Sequence, residues 1–184
     1  MKCLIKLKTN NMKTIRQGIF ETNSSSIHTL VISNIGLNWQ DSLLFGFDDV
    51  GWSFEVYDTP SERANYLWTY LVNNHCNYNS NTHEYDYTEA FKWKDKLKEI
   101  LNDKGIECEF MDPNECDTGY VDHGFELSGY FENMIENDND MLMNYLFGLE
   151  SVIYTGNDNT DEDPYINEIN KAEQKGYDIR YKGN

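Results

Sequence analysis

A stretch of 66 residues, 105–170, contains 17 Asp and Glu residues and not one Lys or Arg. Over the whole chain, 32 acidic residues outnumber 15 basic ones, giving a formal net charge of -17 and a sequence pI near 4.4. Such a field repels phosphate groups and attracts cations or basic proteins. The sequence therefore disfavours direct binding to nucleic acid, favours a basic partner, and places the centre of the anionic field in the C-terminal half.

The N-terminus has the opposite charge. The first 16 residues carry five basic side chains and no acidic one: Lys2, Lys6, Lys8, Lys13 and Arg16. We interpret residues 1–12 as a basic extension, expected to be flexible, and residues 13–184 as a single acidic domain, because no Pro/Gly/Ser-rich linker divides the chain. No apolar run approaches the roughly 20 residues of a membrane span, so no membrane association is expected.

The four cysteines are interpreted as reduced, mostly buried thiols of a cytoplasmic protein, because no apolar stretch of signal-peptide length precedes them. A zinc site is the alternative, with ligands drawn from five His and Cys residues along the chain. The absence of a C-x-x-C or H-x-x-x-H pair disfavours it, and no cofactor is expected. The five residues are His75, Cys76, His83, Cys108 and Cys116.

Apolar periodicity predicts five helices. The first opens with the capping box Thr59-Pro60-Ser61-Glu62 and buries one face. The second spans residues 87–104, two short helices span 128–136 and 138–147, and the last opens at Asp163-Pro164. The inward residues of the first two helices are Ala64, Leu67, Trp68, Leu71 and Val72, followed by Ala90, Trp93, Leu97, Ile100 and Leu101.

Five strands are predicted, over residues 28–33, 51–57, 106–110, 151–155 and 177–181. In the second, alternation points Trp52, Phe54 and Val56 inward. The helices between the later strands suggest parallel crossovers, so the predicted fold is α+β (or α/β), a single domain with a mixed sheet of about five strands packed with about five helices. One core is expected to contain Trp52, Phe54, Leu67, Trp68, Leu71, Trp93, Leu97, Ile106, Ile153 and Ile166.

Three serines precede a histidine in the run from Arg16 to His28. An imidazole-activated hydroxyl would suggest a hydrolase. The run lacks a G-x-S-x-G elbow, however, and Asn and Ser side chains readily bond nearby backbone groups. We therefore expect Asn23 and Ser24–Ser26 to form a structural corner leading into the strand.

Two later loops carry further candidate groups. Asp122 beside His123 could tune an imidazole near neutral pH, although a solvated loop is favoured. Residues 155–164 lie between a strand and a helix and resemble a calcium loop in their alternating Asn and Asp, but the central glycine and distal glutamate are missing. Helix capping and solubility are favoured there.

The same pieces also carry a family resemblance. The run Glu21-Thr-Asn-Ser-Ser-Ser-Ile-His28, with Tyr120-Val-Asp-His123 and Tyr154-Thr-Gly-Asn-Asp158, resembles small proteins encoded by phages and mobile elements of low-GC Gram-positive bacteria. Some inhibitors of type II Cas9 (anti-CRISPR proteins) are similar in size, acidity and genomic origin. The resemblance implies a phage-derived inhibitor of a host defence system.

Two functions are therefore predicted as alternatives. The first is a non-enzymatic, DNA-mimic-like inhibitor whose carboxylates bind a basic protein or ribonucleoprotein, such as a Cas9–guide RNA complex. The second is a metal-dependent hydrolase or nuclease using His28, Asp122, His123 and Asp158. For the inhibitor, the partner-binding residues are expected to be Glu126, Glu132, Glu136, Asp138, Asp140, Asp158, Asp161, Glu162 and Asp163.

Overall fold

A computed structural model describes residues 26–51, 53–122, 127–157 and 164–182. These residues form ten strands and five helices. In chain order they are β1 (Ser26–Ile32), β2 (Ser42–Phe45), β3 (Asp49–Val50), β4 (Glu55–Tyr57), α1 (Pro60–Asn74), β5 (Asn77–Asn79), β6 (Glu84–Asp86), α2 (Thr88–Asp103), β7 (Glu107–Phe110), β8 (Tyr120–Val121), α3 (Tyr130–Asn137), α4 (Asn139–Phe147), β9 (Val152–Asn157), α5 (Ile166–Gln174) and β10 (Asp178–Lys182).

The central sheet has four antiparallel strands in the order β10-β1-β9-β4. Hydrogen-bonded neighbours in this sheet are all antiparallel. However, β9 and β10 both run opposite to β1, so α5 does connect two strands of the same direction across β1. Parallel pairing occurs instead in two small sheets, β2 with β7 and β3 with β8. The α+β class is confirmed.

Strand β1 is buried on both faces because the sheet is covered on both sides. Leu30 and Ile32 face the main core, with α1, α2, α3 and α4 on that side. Val31 faces a smaller cluster with Ala172 of α5 and Tyr177. Buried apolar area on both faces, and not backbone pairing alone, holds this sheet between its helical layers.

Helix α1 begins as the sequence predicts. The Thr59 hydroxyl accepts a hydrogen bond from the Glu62 amide (3.3 Å), and the Glu62 carboxylate accepts one from the Thr59 amide (3.0 Å). All five predicted inward residues of α1 are buried. Four residues after the cap, Arg63 is also buried at 1% exposure, which apolar periodicity does not predict.

Arg63 is held by backbone carbonyls, to which its guanidinium donates. Nη1 donates to Asp58 (2.6 Å) and Ser151, and Nη2 donates to Leu146 (2.9 Å) near the end of α4. The partial negative charge at a helix C-terminus stabilises a cation at this position. One side chain thereby ties α1 to the α4–β9 connection.

The predicted strand over residues 51–57 is wrong in length and in phase. Only β4 forms, at the edge of the sheet, and there Tyr57 is buried while Val56 is 41% exposed. Phe54 is half-buried, and a Cβ on Gly156 would lie 2.8 Å from its ring. Trp52 lies outside the described residues.

Most of the predicted core is confirmed. The buried residues among those predicted are Leu67, Trp68, Leu71, Leu97, Ile106 and Ile153. Trp93 is half-buried against the same core. Ile166 is 47% exposed, so this prediction is wrong; the residue begins α5, and Ile169 and Ala172 provide that helix's buried side.

Candidate interaction surface

The strand pairing brings together two segments that contain no basic residue. Residues 17–62 contain no Lys or Arg, and neither do residues 105–170. Strands of the first segment pair with strands of the second in four places: β1 with β9, β4 with β9, β2 with β7, and β3 with β8. The fold therefore places the two base-free segments side by side, with the lysine-bearing helix α2 packed against β7.

Exposed carboxylates follow these pairings. On β7, Glu107 and Glu109 are exposed while Cys108 between them is buried. The Glu107 amide donates to the Asp41 carbonyl (2.9 Å), which places Asp41 directly beside them. We call the exposed acidic residues on β3, on β7, directly before β2 and between β7 and β8 the acidic surface: Asp41, Asp49, Glu107, Glu109, Asp112, Glu115 and Asp117.

The basic side chains lie elsewhere along the chain. Beyond residue 16, Lys and Arg occur as buried Arg63, as five lysines on and just after α2, and in residues 171–182. Some of the exposed lysines already have partners: Lys92 contacts Glu89 (2.6 Å), Lys96 contacts Glu136, and Lys175 contacts Glu150. The acidic surface has no basic residue within its own two segments.

Carboxylates also crowd the entry to α1. Partial burial raises the pKa of Asp48, and the charges of Glu55, Asp49 and Glu62 raise it further, while a hydrogen bond from the Asp49 amide opposes them. Next to this group the Tyr57 hydroxyl donates to Glu55 (2.5 Å). Like charges at this density repel one another and favour a cationic partner.

Glu132 has a structural role. Its side chain is 13% exposed, and its carboxylate accepts hydrogen bonds from His75 Nε2 (2.7 Å), the Tyr70 hydroxyl (3.2 Å) and the Gly129 amide (2.9 Å). Burial raises the pKa of this carboxyl, but the hydrogen bonds outweigh it and hold the pKa below the ordinary 4.5. The bonds join α1 to the start of α3.

The other predicted partner-binding residues have different positions. Glu136 forms an ion pair with Lys96, and Asp138 caps α4 by accepting from the Met141 amide (2.9 Å). Asp140, in the first turn of α4, is exposed. Glu126, Asp158, Asp161, Glu162 and Asp163 lie outside the described residues, so their place relative to the acidic surface stays a prediction.

The predicted hydrolase residues are partly described. His28 is completely buried, with Nε2 3.2 Å from the Ser26 hydroxyl and Nδ1 2.9 Å from the Tyr66 hydroxyl. The Ser26 hydroxyl donates to the Asp122 carbonyl (3.2 Å). The imidazole lies between the two hydroxyls, and its tautomer decides which ring nitrogen donates.

In a serine hydrolase the imidazole would have to accept the serine proton, whereas the Ser26 hydroxyl donates to the Asp122 carbonyl. The chain of bonds joins β1, α1 and the end of β8, which is a structural role. Ser26 therefore bonds a backbone group as predicted, while Asn23, Ser24 and Ser25 lie outside the described residues. His123 and Asp158 lie outside them too.

Among the described residues, no group of three or more His, Cys, Asp or Glu side chains is arranged to hold a metal ion. Cys76 and Cys108 are free thiols, and burial raises the pKa of Cys108 to about 11. Among the described residues, no set of side chains therefore supports the zinc alternative.

Comparison with known proteins adds no relative: no family model, no curated protein and no solved structure matches this chain. In the described part of the chain, no helix has both the length and the apolar character needed to cross a membrane.

None of the seven residues of the acidic surface is among the predicted partner-binding residues, and two of them, Asp41 and Asp49, lie outside the C-terminal half altogether. The base-free stretch of residues 17–62 is visible by counting, but it carries only seven acids in 46 residues and does not stand out alone. This stretch matters because its strands pair with those of the more acidic segment, and such long-range strand contacts cannot be predicted by counting charges. Arg63 was missed because a buried charge has no periodic signature.

Proposed function

We propose that this chain is a non-enzymatic inhibitor, encoded by a phage or mobile element, that binds a basic nucleic-acid-binding surface of a bacterial defence nucleoprotein in the host cytoplasm. A Cas9–guide RNA complex is the first partner to test, because the sequence resemblance leads there. The observation that carries the proposal is the pairing of the two base-free segments, which gathers their carboxylates on the acidic surface.

The chemistry follows from what such a partner binds. A protein channel that holds phosphates is lined with Lys and Arg, and those side chains bind carboxylates by the same charge-assisted hydrogen bonds. The negative field of the acidic surface also speeds the encounter with a cationic partner. A nucleic-acid substrate would instead be repelled by the acidic surface.

A pair of matched triple variants tests the proposal. The first reverses Asp41, Glu107 and Glu109 to lysine on the acidic surface, and the second reverses Asp95, Glu99 and Asp103 to lysine on α2. Both change net charge equally and alter only exposed side chains, so a difference between them reports location. We expect the first to weaken binding to a Cas9–guide RNA complex at least tenfold and the second to have a clearly smaller effect.

Single reversals are expected to change the affinity by no more than about fivefold, since exposed ion pairs contribute at most about 1 kcal/mol each. Affinity for the complex should also fall steeply between about 0.05 and about 0.5 M salt. Equal effects of the two triple variants, or an affinity that salt does not change, would refute the proposal.

A further inference from the structure

The hairpin of β5 and β6 projects from the fold between α1 and α2. All six of its strand residues are exposed, and within the described chain each strand makes its substantial contacts only with the other. An isolated two-stranded hairpin is marginally stable in water. Its order must therefore come from its own side chains.

Tyrosine rings supply that order on one face. Tyr78 and Tyr85 are cross-strand partners, 53% and 55% exposed, with ring centroids 5.0 Å apart. Tyr85 stacks on Tyr87 at the start of α2 (6.0 Å, 19°), and the Tyr78 hydroxyl lies 2.8 Å from His83 Nδ1. The result is a row of three rings, two of them largely open to solvent.

The opposite face and the connecting turn are polar and acidic. Asn77 pairs with Asp86 and Asn79 with Glu84 across the hairpin. Residues 64–91 contain three acids and no Lys or Arg. Tyr with Asn and Ser is the composition of binding loops, in which rigid rings supply contact area and small polar side chains adapt their hydrogen bonds.

We propose that the β5–β6 hairpin is a docking element that inserts into a basic protein surface and stacks its tyrosine rings on arginine guanidinium groups. The inference rests on the proposed function for the kind of partner, and it adds the element that provides specificity. Guanidinium planes stack on tyrosine faces, and Glu84, exposed on the opposite face, adds negative charge that attracts a basic surface to the hairpin.

The charge of the hairpin favours arginine over single-stranded nucleic acid, the other common ligand of exposed aromatic rows. Single-stranded nucleic acid also stacks on such rings, but the sites that hold it combine them with a basic groove along the backbone. The hairpin has no basic residue of its own, since residues 64–91 contain three acids and no Lys or Arg. A cationic protein side chain suits both the rings and the negative charge of the hairpin.

The test uses two synthetic peptides of equal length, one alternating arginine with serine and the other lysine with serine. Binding is measured by calorimetry for the wild type, for Tyr78→Ala with Tyr85→Ala, and for the matched control Tyr78→Phe with Tyr85→Phe. Because the hairpin makes its substantial contacts within itself, all variants should keep the wild-type thermal midpoint, and the phenylalanine pair should also keep the ring packing that orders the hairpin. We expect the wild type to prefer the arginine peptide about fivefold, the alanine pair to lose that preference and bind about tenfold more weakly, and the phenylalanine pair to keep most of both.

An alanine pair that binds the arginine peptide like the wild type would overturn the hairpin proposal, as would equal wild-type affinities for the two peptides. Tyrosine-dependent binding of a single-stranded oligonucleotide in place of the peptides would overturn it as well. The triple variant Asp41→Lys, Glu107→Lys, Glu109→Lys separates the two ideas. If only the triple variant loses affinity for the arginine peptide, the proposed function stands without the hairpin. If only the alanine pair loses that affinity, the hairpin proposal stands without the acidic surface.

Discussion

Arg63 is the residue whose loss should cost the fold most. Its guanidinium satisfies carbonyls of Asp58, Leu146 and Ser151, and with the side chain shortened these groups would be buried without a donor. Arg63→Ala is expected to lower the free energy of unfolding by about 3–5 kcal/mol. Urea denaturation measures this, with the exposed Arg180→Ala as the control that should change it by no more than about 1 kcal/mol. Similar values for both variants would contradict the assigned role.

Glu132 should make stability depend on pH in acid. Because its pKa is lower in the folded state than the ordinary 4.5, its stabilising contribution is complete above pH 4.5 and is lost as the pH falls through the folded-state pKa. At pH 7 we expect Glu132→Gln to cost about 1–2 kcal/mol, as the three donors lose a charged acceptor. The difference from wild type should shrink steadily below pH 4.5 in denaturation at several pH values.

Glu136→Gln is the matched control, since that carboxylate has only an exposed ion pair with Lys96. It should change the stability little at any pH. A Glu132→Gln deficit that persists undiminished at low pH would show that packing, and not charge, explains the loss.

At this scale the sequence could predict which residues are acidic but not what each acid does. Glu132 and Glu136 share a helix face by spacing, as predicted, yet only the fold places Tyr70 and His75 beside the first and Lys96 beside the second. Asp138 had a local signal, because an Asp three residues before the apolar run that begins at Met141 has the position of a helix cap.

Among the elements, the β3–β8 pairing depends on one glycine. Gly119 has φ +58°, and a Cβ there would lie 2.3 Å from the Asp48 carbonyl oxygen. Gly105 also has a positive φ, +79°, but a Cβ there would meet no atom within 4 Å. Gly105→Ala should therefore cost only the roughly 1–2 kcal/mol of a left-handed backbone, and Gly119→Ala clearly more, because the strands must separate.

Thermal unfolding of the two glycine variants compares these costs directly. Hydrogen exchange at the amides of Tyr120 and Asp122, which donate to Asp48 and Val50, should accelerate in Gly119→Ala alone. Equal destabilisation of both variants would mean that the close approach at Gly119 does not constrain the pairing.

Helices were easier to predict than strands for a physical reason. Each helix buries a stripe with a period of 3.6 residues and ends at a local signal, so all five could be placed to within a few residues. Strands β2, β3, β5, β6 and β8 have two to four residues each, too few to show alternation. The inward face of β4 was predicted wrongly because an edge strand can leave a residue such as Val56 exposed. The partner of each strand could not be predicted, because strands pair with distant segments of the chain.

For the whole molecule, the net charge of -17 should make stability rise with salt. Added salt screens the repulsion among exposed carboxylates, whereas the few exposed ion pairs contribute little to be lost. We expect the thermal midpoint to increase by several degrees from about 0.02 to about 0.5 M NaCl. A midpoint that falls over this range would show that the ion pairs outweigh the repulsion.

The overall distribution of charge was only partly predictable. The acidity of residues 105–170 is apparent from the sequence, and it led to the prediction of an anionic C-terminal half. The structure adds residues 17–62 through four strand pairings, because only contacts between distant segments decide which charges share a surface.

The central claim is that the acidic surface occupies a site that otherwise holds nucleic acid, and equilibrium competition tests it most directly. Labelled duplex target DNA is titrated with a Cas9–guide RNA complex at several fixed concentrations of this protein. We expect the apparent Kd for DNA to rise in proportion to protein concentration, and the Asp41, Glu107 and Glu109 triple reversal to abolish the effect. DNA affinity that is unchanged while the protein remains bound to the complex would contradict it.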